Sequence, residues 1–307
     1  MPLPNALIIG AQKSGSSWLA KNLGQHPDAF IYDREIHFFN LERNYNRGLP
    51  WYEAHFEQAG PAKVIAEKTP NYLWITPSSI KSRFGNHLPN IHQKLHAALP
   101  EAKLIVVLRN PVERAISAIN HYRTRGQLSP LADIDNLLDC QSSKADTFGV
   151  LSMGKYYEHL SAYYDCYGKD RLLVINFEEE IADAPEIGLQ KACHFLGLDD
   201  TYSFKDKDKR QNSFDFTRTG TALVRHWLPN QRLLHKAVAK LPAKVLGKRV
   251  TKHRPSEHTI QELYRYYQDD NQKLFQLLNR KFNSWEETQT SASVIPNTSM
   301  TEIGIEK

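Results

Sequence analysis

Residues 7–19 constrain the fold of this 307-residue chain more than any other stretch. A short apolar run stops at Gly10, and a turn with Lys13, Gly15 and three serines follows it. A helical pattern then begins at Trp18. This order predicts a strand, a phosphate-sized loop and a helix N-terminus, where unpaired backbone N–H groups attract an anion. A Walker A loop ends in Gly-Lys-Ser/Thr, whereas in this loop the lysine precedes the glycine.

Further apolar runs predict strands that alternate with helices. The run Lys103–Leu108 is nearly all apolar, as in a central parallel strand that is buried on both faces. Pro111 is well placed as the first residue of the next helix. The alternation predicts an α/β fold with a doubly wound parallel sheet. The predicted strands are Leu7–Ile9, Val64–Ala66, Lys103–Leu108 and Arg171–Phe177, and the predicted helices are Ser17–Leu23, Pro111–Arg123, Tyr156–Tyr167, Pro185–Leu196 and Thr259–Leu278.

The composition bounds the number of domains. With 41% hydrophobic residues the chain can bury a sizeable core, and we expect a single domain over residues 1–287. Past Trp285 the sequence turns to polar residues, so residues 288–307 are expected to form a disordered tail.

The cysteines and the N-terminal residues bear on the compartment. No apolar run is long enough to span a bilayer, and no signal peptide is recognisable before Leu7. Cys140, Cys166 and Cys193 lack metal-ligand spacing and fit a reducing compartment. The sequence therefore predicts a cytoplasmic protein.

The net charge of +5 is unevenly distributed. Between Asp215 and Glu257 there are ten Lys/Arg residues and no acid, so the rest of the chain sums to 5 − 10 = −5. Within this stretch we expect a basic helical insert over about residues 222–254, broken by Pro229 and Pro242. Such a surface favours an anionic partner; a solvated helical face is the alternative.

Arg109 and Ser117 suggest a second anion site. Arg109 ends the apolar strand at the edge where open α/β sheets bind ligands, and Ser117 lies about two turns into the next helix. Together they can hold a phosphate; alternatively, Arg109 pairs with Glu113 and Ser117 only packs. The apolar strands end in Arg109, Glu67 or Phe177, and no acidic cluster suits Mg²⁺. The residues favour a metal-free transfer of a group less charged than phosphoryl.

Four blocks resemble one family. Residues 10–19, Gly-Ala-Gln-Lys-Ser-Gly-Ser-Ser-Trp-Leu, resemble the 5′-phosphosulfate loop of sulfotransferases that use 3′-phosphoadenylyl sulfate (PAPS). Residues 106–117, Val-Val-Leu-Arg-Asn-Pro-Val-Glu-Arg-Ala-Ile-Ser, resemble their 3′-phosphate motif. Residues 34–39, Arg-Glu-Ile-His-Phe-Phe, and 67–72, Glu-Lys-Thr-Pro-Asn-Tyr, are similar to the heparan sulfate branch. The resemblance covers about residues 7–198 and implies a P-loop-kinase-like sulfotransferase fold.

The resemblance implies roles for individual residues. A sulfuryl group would pass in line from PAPS to a hydroxyl, or less readily an amine, of a saccharide or glycoconjugate, without a metal. Glu35 matches the general base, and Lys13, Lys68 and His37 match residues near the transferred group. His37 is the second candidate for the base, as in the cytosolic branch. The implied donor-binding residues are Lys13, Ser14, Gly15, Ser16, Ser17, Trp18, Arg109 and Ser117, with Lys209 and Arg210 as looser matches.

The chain departs from the heparan sulfate pattern in two places. The region 207–213 has no cysteine where those enzymes commonly carry a disulfide-closed loop, and the basic insert is absent from the pattern. The insert and the block Asp270–Leu274 look more like bacterial sulfotransferases. The acceptor therefore cannot be copied from the animal enzymes. Because the Glu35 segment follows the glycan-sulfating branch, the expected acceptor is a saccharide or glycoconjugate, anionic or lipid-linked. Peripheral membrane contact through the insert is a hypothesis, and no nucleic acid is expected as a partner.

Three other functions stay open from the residues. A P-loop kinase of a small metabolite would need ATP and Mg²⁺. A nucleotide-binding module without catalysis would not need Glu35. A sulfotransferase for a non-carbohydrate small molecule would share the donor site. A further set of aromatic residues can stack on sugars or simply pack in the core, namely Trp51, Tyr52, Tyr72 and Trp74.

Overall fold

A five-stranded parallel sheet organises the chain, and its strands lie in the spatial order Ala29–Ile31, Val64–Lys68, Ala6–Gly10, Lys103–Leu108 and Leu172–Asn176. The computed structural model describes residues 2–76, 78–82, 85–141, 148–209 and 217–286. Arg210 and the predicted tail at 288–307 lie outside these residues. The strands are β1 (Ala6–Gly10), β2 (Ala29–Ile31), β3 (Val64–Lys68), β4 (Ile80–Ser82), β5 (Gly85–His87), β6 (Lys103–Leu108) and β7 (Leu172–Asn176), of which β4 and β5 form a separate hairpin.

Helices connect the strands and follow the last one. The described α-helices are α1 (Ser16–Leu23), α2 (Glu42–Tyr45), α3 (Leu49–Glu53), α4 (Ile91–Ala98), α5 (Pro111–Thr124), α6 (Ile134–Leu137), α7 (Tyr156–Tyr167), α8 (Pro185–Leu196), α9 (Thr219–Trp227), α10 (Arg232–Ala239), α11 (Ala243–Leu246) and α12 (Glu257–Leu278). Within the described ranges, no helix has the length and apolar character needed to cross a membrane.

Both faces of the sheet are covered, which explains why β1 and β6 are apolar at almost every position. In β6, Leu104 and Val106 pack into the core cluster that includes α4 and α7. Ile105 and Val107 pack into the cluster on the other face, with α1 and α8. Successive side chains of a strand point to opposite faces, so each face receives alternate residues. The predicted doubly wound parallel sheet is confirmed.

The structure adds elements that the sequence pattern did not indicate. The edge strand β2 has only three residues, all half-buried, which is too short for a periodic signal. Helix α4 begins after Asn90, whose φ of 53° places it in the left-handed region. Weak patterns of this length are decided by tertiary packing more than by local sequence.

The basic insert leaves and rejoins the body at one point. Val250 N–H donates to the Thr217 carbonyl at 2.9 Å. Helix α9 packs on the end of α5, where a Cβ atom on Gly126 would lie 2.3 Å from the Ala222 carbonyl oxygen. The predicted breaks at the prolines are present, because α9, α10 and α11 are three short helices.

Candidate active site

The loops that follow β1, β3 and β6 meet at the carboxyl edge of the sheet. There they border a cleft of about 1350 Å³. Among the described residues, nine lysine and arginine side chains line this cleft, together with the two carboxylates Glu35 and Glu113. The excess of positive charge attracts anionic ligands.

The loop between β1 and α1 has the conformation that its sequence requires. Lys13 and Gly15 both have left-handed backbone angles, with φ of 69° and 94°. A Cβ atom on Gly15 would lie 2.8 Å from the Phe177 ring, so this position needs glycine for its φ and for space. Trp18 Nε1 donates to the Lys207 carbonyl at 2.9 Å and ties the helix to a distant loop.

The predicted loop residues divide into two groups. Lys13, Gly15, Ser16 and Ser17 line the cleft, whereas Ser14 and Trp18 are buried behind them. The first turn of α1 therefore faces the cleft, where its backbone N–H groups can bind an anion.

Lys13 lies in a strongly positive environment. Burial and the nearby charges of Arg125, Arg109 and Lys252 bring the pKa of Lys13 down to about 8, although Glu35 acts in the opposite direction. An anion placed here would relieve this repulsion.

Arg109 and Ser117 both line the cleft, as the second predicted anion site requires. Arg109 Nη1 donates to the Lys13 carbonyl at 3.2 Å, so the loops after β1 and β6 are joined. The alternative pairing is also present, because Arg109 Nη2 lies 3.7 Å from a Glu113 carboxylate oxygen. Glu178 lies 3.9 Å from Arg109 Nε on the other side.

Lys68, at the end of β3, connects the loop to the predicted base. Its Nζ donates to Glu35 Oε1 at 2.8 Å and to Ser17 Oγ at 3.1 Å. His37 Nε2 lies 3.2 Å from Glu35 Oε2. The backbone here is not a regular strand, since His37 has a φ of 54°. Even so, the residues Glu35, His37 and Lys68 lie side by side, and Arg34 pairs with Asp33 instead.

The Glu35 carboxylate is held in its charged form. Burial raises the pKa of Glu35, but the hydrogen bond with His37 and the charge of Lys68 outweigh it and lower the pKa to about 2. Glu35 is therefore ionised at neutral pH and ready to accept a proton.

A buried carboxylate supports this segment from behind. Glu67 is fully buried and accepts hydrogen bonds from Tyr52 at 2.6 Å, Tyr72 at 3.0 Å and Thr69 at 2.8 Å. The Tyr72 hydroxyl accepts from Phe38 N–H at 2.9 Å, beside His37. Burial raises the pKa of Glu67 despite these three donors. The network fixes the backbone that carries the predicted base.

This arrangement also answers the question about the aromatic residues. Tyr52 and Tyr72 are fully buried and donate to Glu67, so they belong to the core. Trp74 lines the cleft, and Trp51 lies under the guanidinium of Arg47, 4.3 Å from the ring centre.

Lys209 is not brought to the cleft. Its ammonium pairs with Asp206 at 2.7 Å, because the two residues are three positions apart on one turn.

Sequence reasoning missed Lys252, His253 and Arg254, which do line the cleft. Arg254 donates to Glu113 at 3.1 Å. The only signal in the sequence was the charge of the insert that ends with them.

Comparisons with known proteins agree with this geometry. A family model described as "Sulfotransferase domain" matches residues 3–280. The chain is 29% identical over 288 residues to mouse heparan sulfate glucosamine 3-O-sulfotransferase 6, covering 92% of this chain and 74% of that protein. It is 32% identical over 198 residues to the human protein of the same name, covering 64% of this chain and 52% of that one. The chain thus spans from about half to three quarters of the length of these relatives.

A solved structure supports the fold. The crystal structure of a sulfotransferase from Alicyclobacillus acidocaldarius superimposes with a TM-score of 0.67 and 21% sequence identity. The match covers 94% of this chain and 100% of that one.

Proposed function

The chain belongs to the sulfotransferase domain family, and on that premise we propose that Glu35 is the general base of a PAPS-dependent transfer to a saccharide hydroxyl. The single observation that carries this proposal is the position of Lys68. Its ammonium lies between Glu35 and Ser17 and so places a carboxylate base directly beside the anion-binding loop.

The loop after β1 fits the donor. When bound, PAPS supplies an activated sulfuryl group and a phosphate as its leaving group. Lys13 and the N–H groups at the start of α1 would hold the 5′-phosphate, in a loop whose path past the Phe177 ring requires glycine at position 15. Arg109 and Ser117 would hold the 3′-phosphate, with Lys252 and Arg254 from the far end of the basic insert beside them.

Each charged residue then has a distinct task. Glu35 removes the proton of the acceptor hydroxyl as that oxygen attacks, which makes a poor nucleophile a better one. Lys13 stabilises the negative charge that develops on the leaving phosphate. Lys68 holds Glu35 in place before binding and lies within reach of the transferred group. Because Lys68 and His37 both lower the pKa of Glu35, engagement of Lys68 by the donor would make Glu35 a stronger base.

We propose that the acceptor is an anionic or lipid-linked saccharide. Arg34 and Arg43 line the cleft on either side of Glu35 in sequence, and they suit carboxylate or sulfate groups on a sugar. Trp74 lines the same cleft, although most of its ring is buried against neighbouring residues. Peripheral contact of the basic insert with a membrane belongs to this proposal, since it would present a lipid-linked acceptor. The free thiols of the three cysteines support a cytoplasmic setting.

The test is an acceptor screen with radiolabelled PAPS on wild-type protein, Glu35→Gln and His37→Gln. We expect Glu35→Gln to lower kcat at least about a hundredfold, with the affinity for adenosine 3′,5′-bisphosphate unchanged within threefold. The matched control is Asp33→Asn, an exposed acid two residues away, which should retain full activity. A larger loss in His37→Gln than in Glu35→Gln would transfer the role of base to His37. Labelling of non-carbohydrate acceptors alone would overturn the saccharide proposal.

Calorimetry distinguishes a sulfotransferase from the alternative of a small-metabolite kinase. A sulfotransferase binds adenosine 3′,5′-bisphosphate more tightly than ATP with Mg²⁺, and a kinase shows the reverse order. A module without catalysis would bind the bisphosphate yet transfer no label to any acceptor in the screen.

A further inference from the structure

The basic insert exposes apolar side chains as well as charges. Of the eight large apolar residues that are exposed in the described part of the chain, six lie between residues 227 and 245. Trp227 and Leu233 are the extremes, with 74% and 83% of their surface exposed. The six residues are Trp227, Leu228, Leu233, Leu234, Leu241 and Val245, and we call them the apolar face.

Such a concentration is unusual for a surface that only meets water. Isolated exposed apolar residues are ordinary, but a cluster marks an interaction site. The six residues are spread over three helices and the turns between them: Trp227 ends α9, Leu233 and Leu234 lie on α10, and Val245 lies on α11. The apolar face therefore spans the short helices of the basic insert.

The charges around the apolar face identify the partner. Lys236 is exposed on α10, and Lys240 is exposed at its C-terminal cap. They follow Leu233 by three and seven positions, so both lie beside it on the same side of the helix. Between Asp215 and Glu257 there are ten basic residues and no acid. A second copy of this chain would bring like charges together, and a soluble polyanion would leave the exposed tryptophan and leucines in water.

We propose that the apolar face and its surrounding lysines dock this protein onto an anionic phospholipid bilayer. Helices with leucine and tryptophan on one side and lysine on another lie in the interface between lipid headgroups and acyl chains. Tryptophan is enriched at that depth. With eight residues, α10 is about 12 Å long, which suits a helix that lies on the membrane.

Docking would place α9 between the cleft and the lipid surface. Arg225 lines the cleft and Trp227 follows it by two residues on α9, so the two side chains point to nearly opposite sides of that helix. Ala222 fixes α9 to the body at Gly126. To reach Glu35 while its lipid stays in the bilayer, the saccharide head of a lipid-linked acceptor would have to span the thickness of that helix, about 10 Å. This last step rests on the proposed function, whereas the docking itself does not.

The test is vesicle co-sedimentation of the full chain without donor or acceptor, so that its outcome is independent of catalysis. Vesicles of phosphatidylcholine alone are compared with vesicles that contain 30% phosphatidylglycerol. We expect at least tenfold stronger partitioning to the anionic vesicles, weakened by added salt. The double variant Lys236→Glu/Lys240→Glu should lose about twentyfold or more, since each lysine near an anionic surface contributes about fivefold. The double variant Trp227→Ser/Leu233→Ser should lose at least about tenfold.

Matched controls come from exposed residues outside the basic insert. Ile187→Ser removes an exposed apolar residue of α8, and Lys205→Glu reverses an exposed charge, and both should bind vesicles as the wild type does. All variants should bind adenosine 3′,5′-bisphosphate normally, which shows that they fold. Equal binding to neutral vesicles would overturn the proposal. A loss in the charge variant with none in the apolar variant would also overturn it, because the apolar face would then take no part in binding. So would a dimer, seen by light scattering, that the apolar variant abolishes.

Discussion

The affinity for adenosine 3′,5′-bisphosphate should fall about tenfold between pH 7 and pH 9, because Lys13 loses its proton. Burial and the charges of Arg125, Arg109 and Lys252 bring the pKa of Lys13 to about 8 in the ligand-free protein. A bound phosphate stabilises the ammonium form and raises this pKa again. Binding above pH 8 therefore takes up a proton.

The magnitude follows from the fraction of Lys13 that is charged. With a pKa of about 8, roughly nine tenths of Lys13 is protonated at pH 7 and roughly one tenth at pH 9. If only the charged form binds strongly, Kd rises about tenfold, or about 1.4 kcal/mol.

The free energy of unfolding of the ligand-free protein changes with pH in the opposite direction. The pKa of Lys13 lies below its ordinary value of 10.5, so this group makes the ligand-free protein more stable as the pH rises from about 8 to 10.5.

The assay is calorimetric titration at pH 7, 8 and 9 in buffers with different ionisation enthalpies, which counts the protons taken up. Lys13→Arg is the matched variant, since a guanidinium stays charged throughout this range. Its Kd should change less than twofold between pH 7 and pH 9. A constant Kd for the wild type between pH 7 and pH 9 would refute the assignment to Lys13. So would the same tenfold rise of Kd in Lys13→Arg.

Three further predictions concern separate parts of the fold. Arg109→Ala should raise the Kd for the bisphosphate about tenfold to a hundredfold in calorimetry, because a charge-assisted hydrogen bond to phosphate contributes about 1.5–3 kcal/mol. Glu67→Ala should lower the free energy of unfolding by about 3–5 kcal/mol in urea, since three hydroxyl groups lose their buried acceptor. Asp270→Asn should raise the free energy of unfolding by about 1–3 kcal/mol at pH 7.5 and by nothing below pH 4. Burial raises the pKa of Asp270 to about 6, so ionisation destabilises the fold above that pH.

Exposed residues provide the controls. Arg171 and Glu101 pair with each other at the surface, so Arg171→Ala should not affect bisphosphate binding and Glu101→Ala should hardly affect unfolding. Asp269→Asn, next to the third site and well exposed, should show no pH-dependent gain. Three results would contradict these predictions: normal bisphosphate affinity in Arg109→Ala, normal stability in Glu67→Ala, or a gain in stability of Asp270→Asn that does not depend on pH.

The central sheet could be predicted because its signals are local. Lys103–Leu108 is apolar at almost every position because both faces of β6 are covered. The loop that carries Lys13 and Gly15 could be predicted equally well, since the residues that define it lie within a short stretch of sequence. The resemblance also brought together Glu35 and Lys68, which are 33 positions apart.

The rest of the site depends on contacts between distant segments. Arg254 reaches Glu113 across 141 positions, and no periodic pattern relates a loop after an insert to a helix so far before it. Glu67 stands out in the sequence only as an acid at the end of an apolar run. Its partners Tyr52 and Tyr72 come from separate turns, and their burial is a property of the packed core.

The closed base of the basic insert has a consequence for how such enzymes can diversify. Thr217 and Val250 are joined by a backbone hydrogen bond, so residues 218–249 form an excursion that starts and finishes at the same place. The entropic cost of closing a loop grows only slowly with its length, so excursions of other lengths and compositions fit the same two anchor points. Lys252 and Arg254 lie just beyond the closure and keep their places in the cleft. If the insert docks on lipid and Lys252 and Arg254 contact the donor, as we propose, a lineage can exchange the docking segment and inherit the donor contacts unchanged.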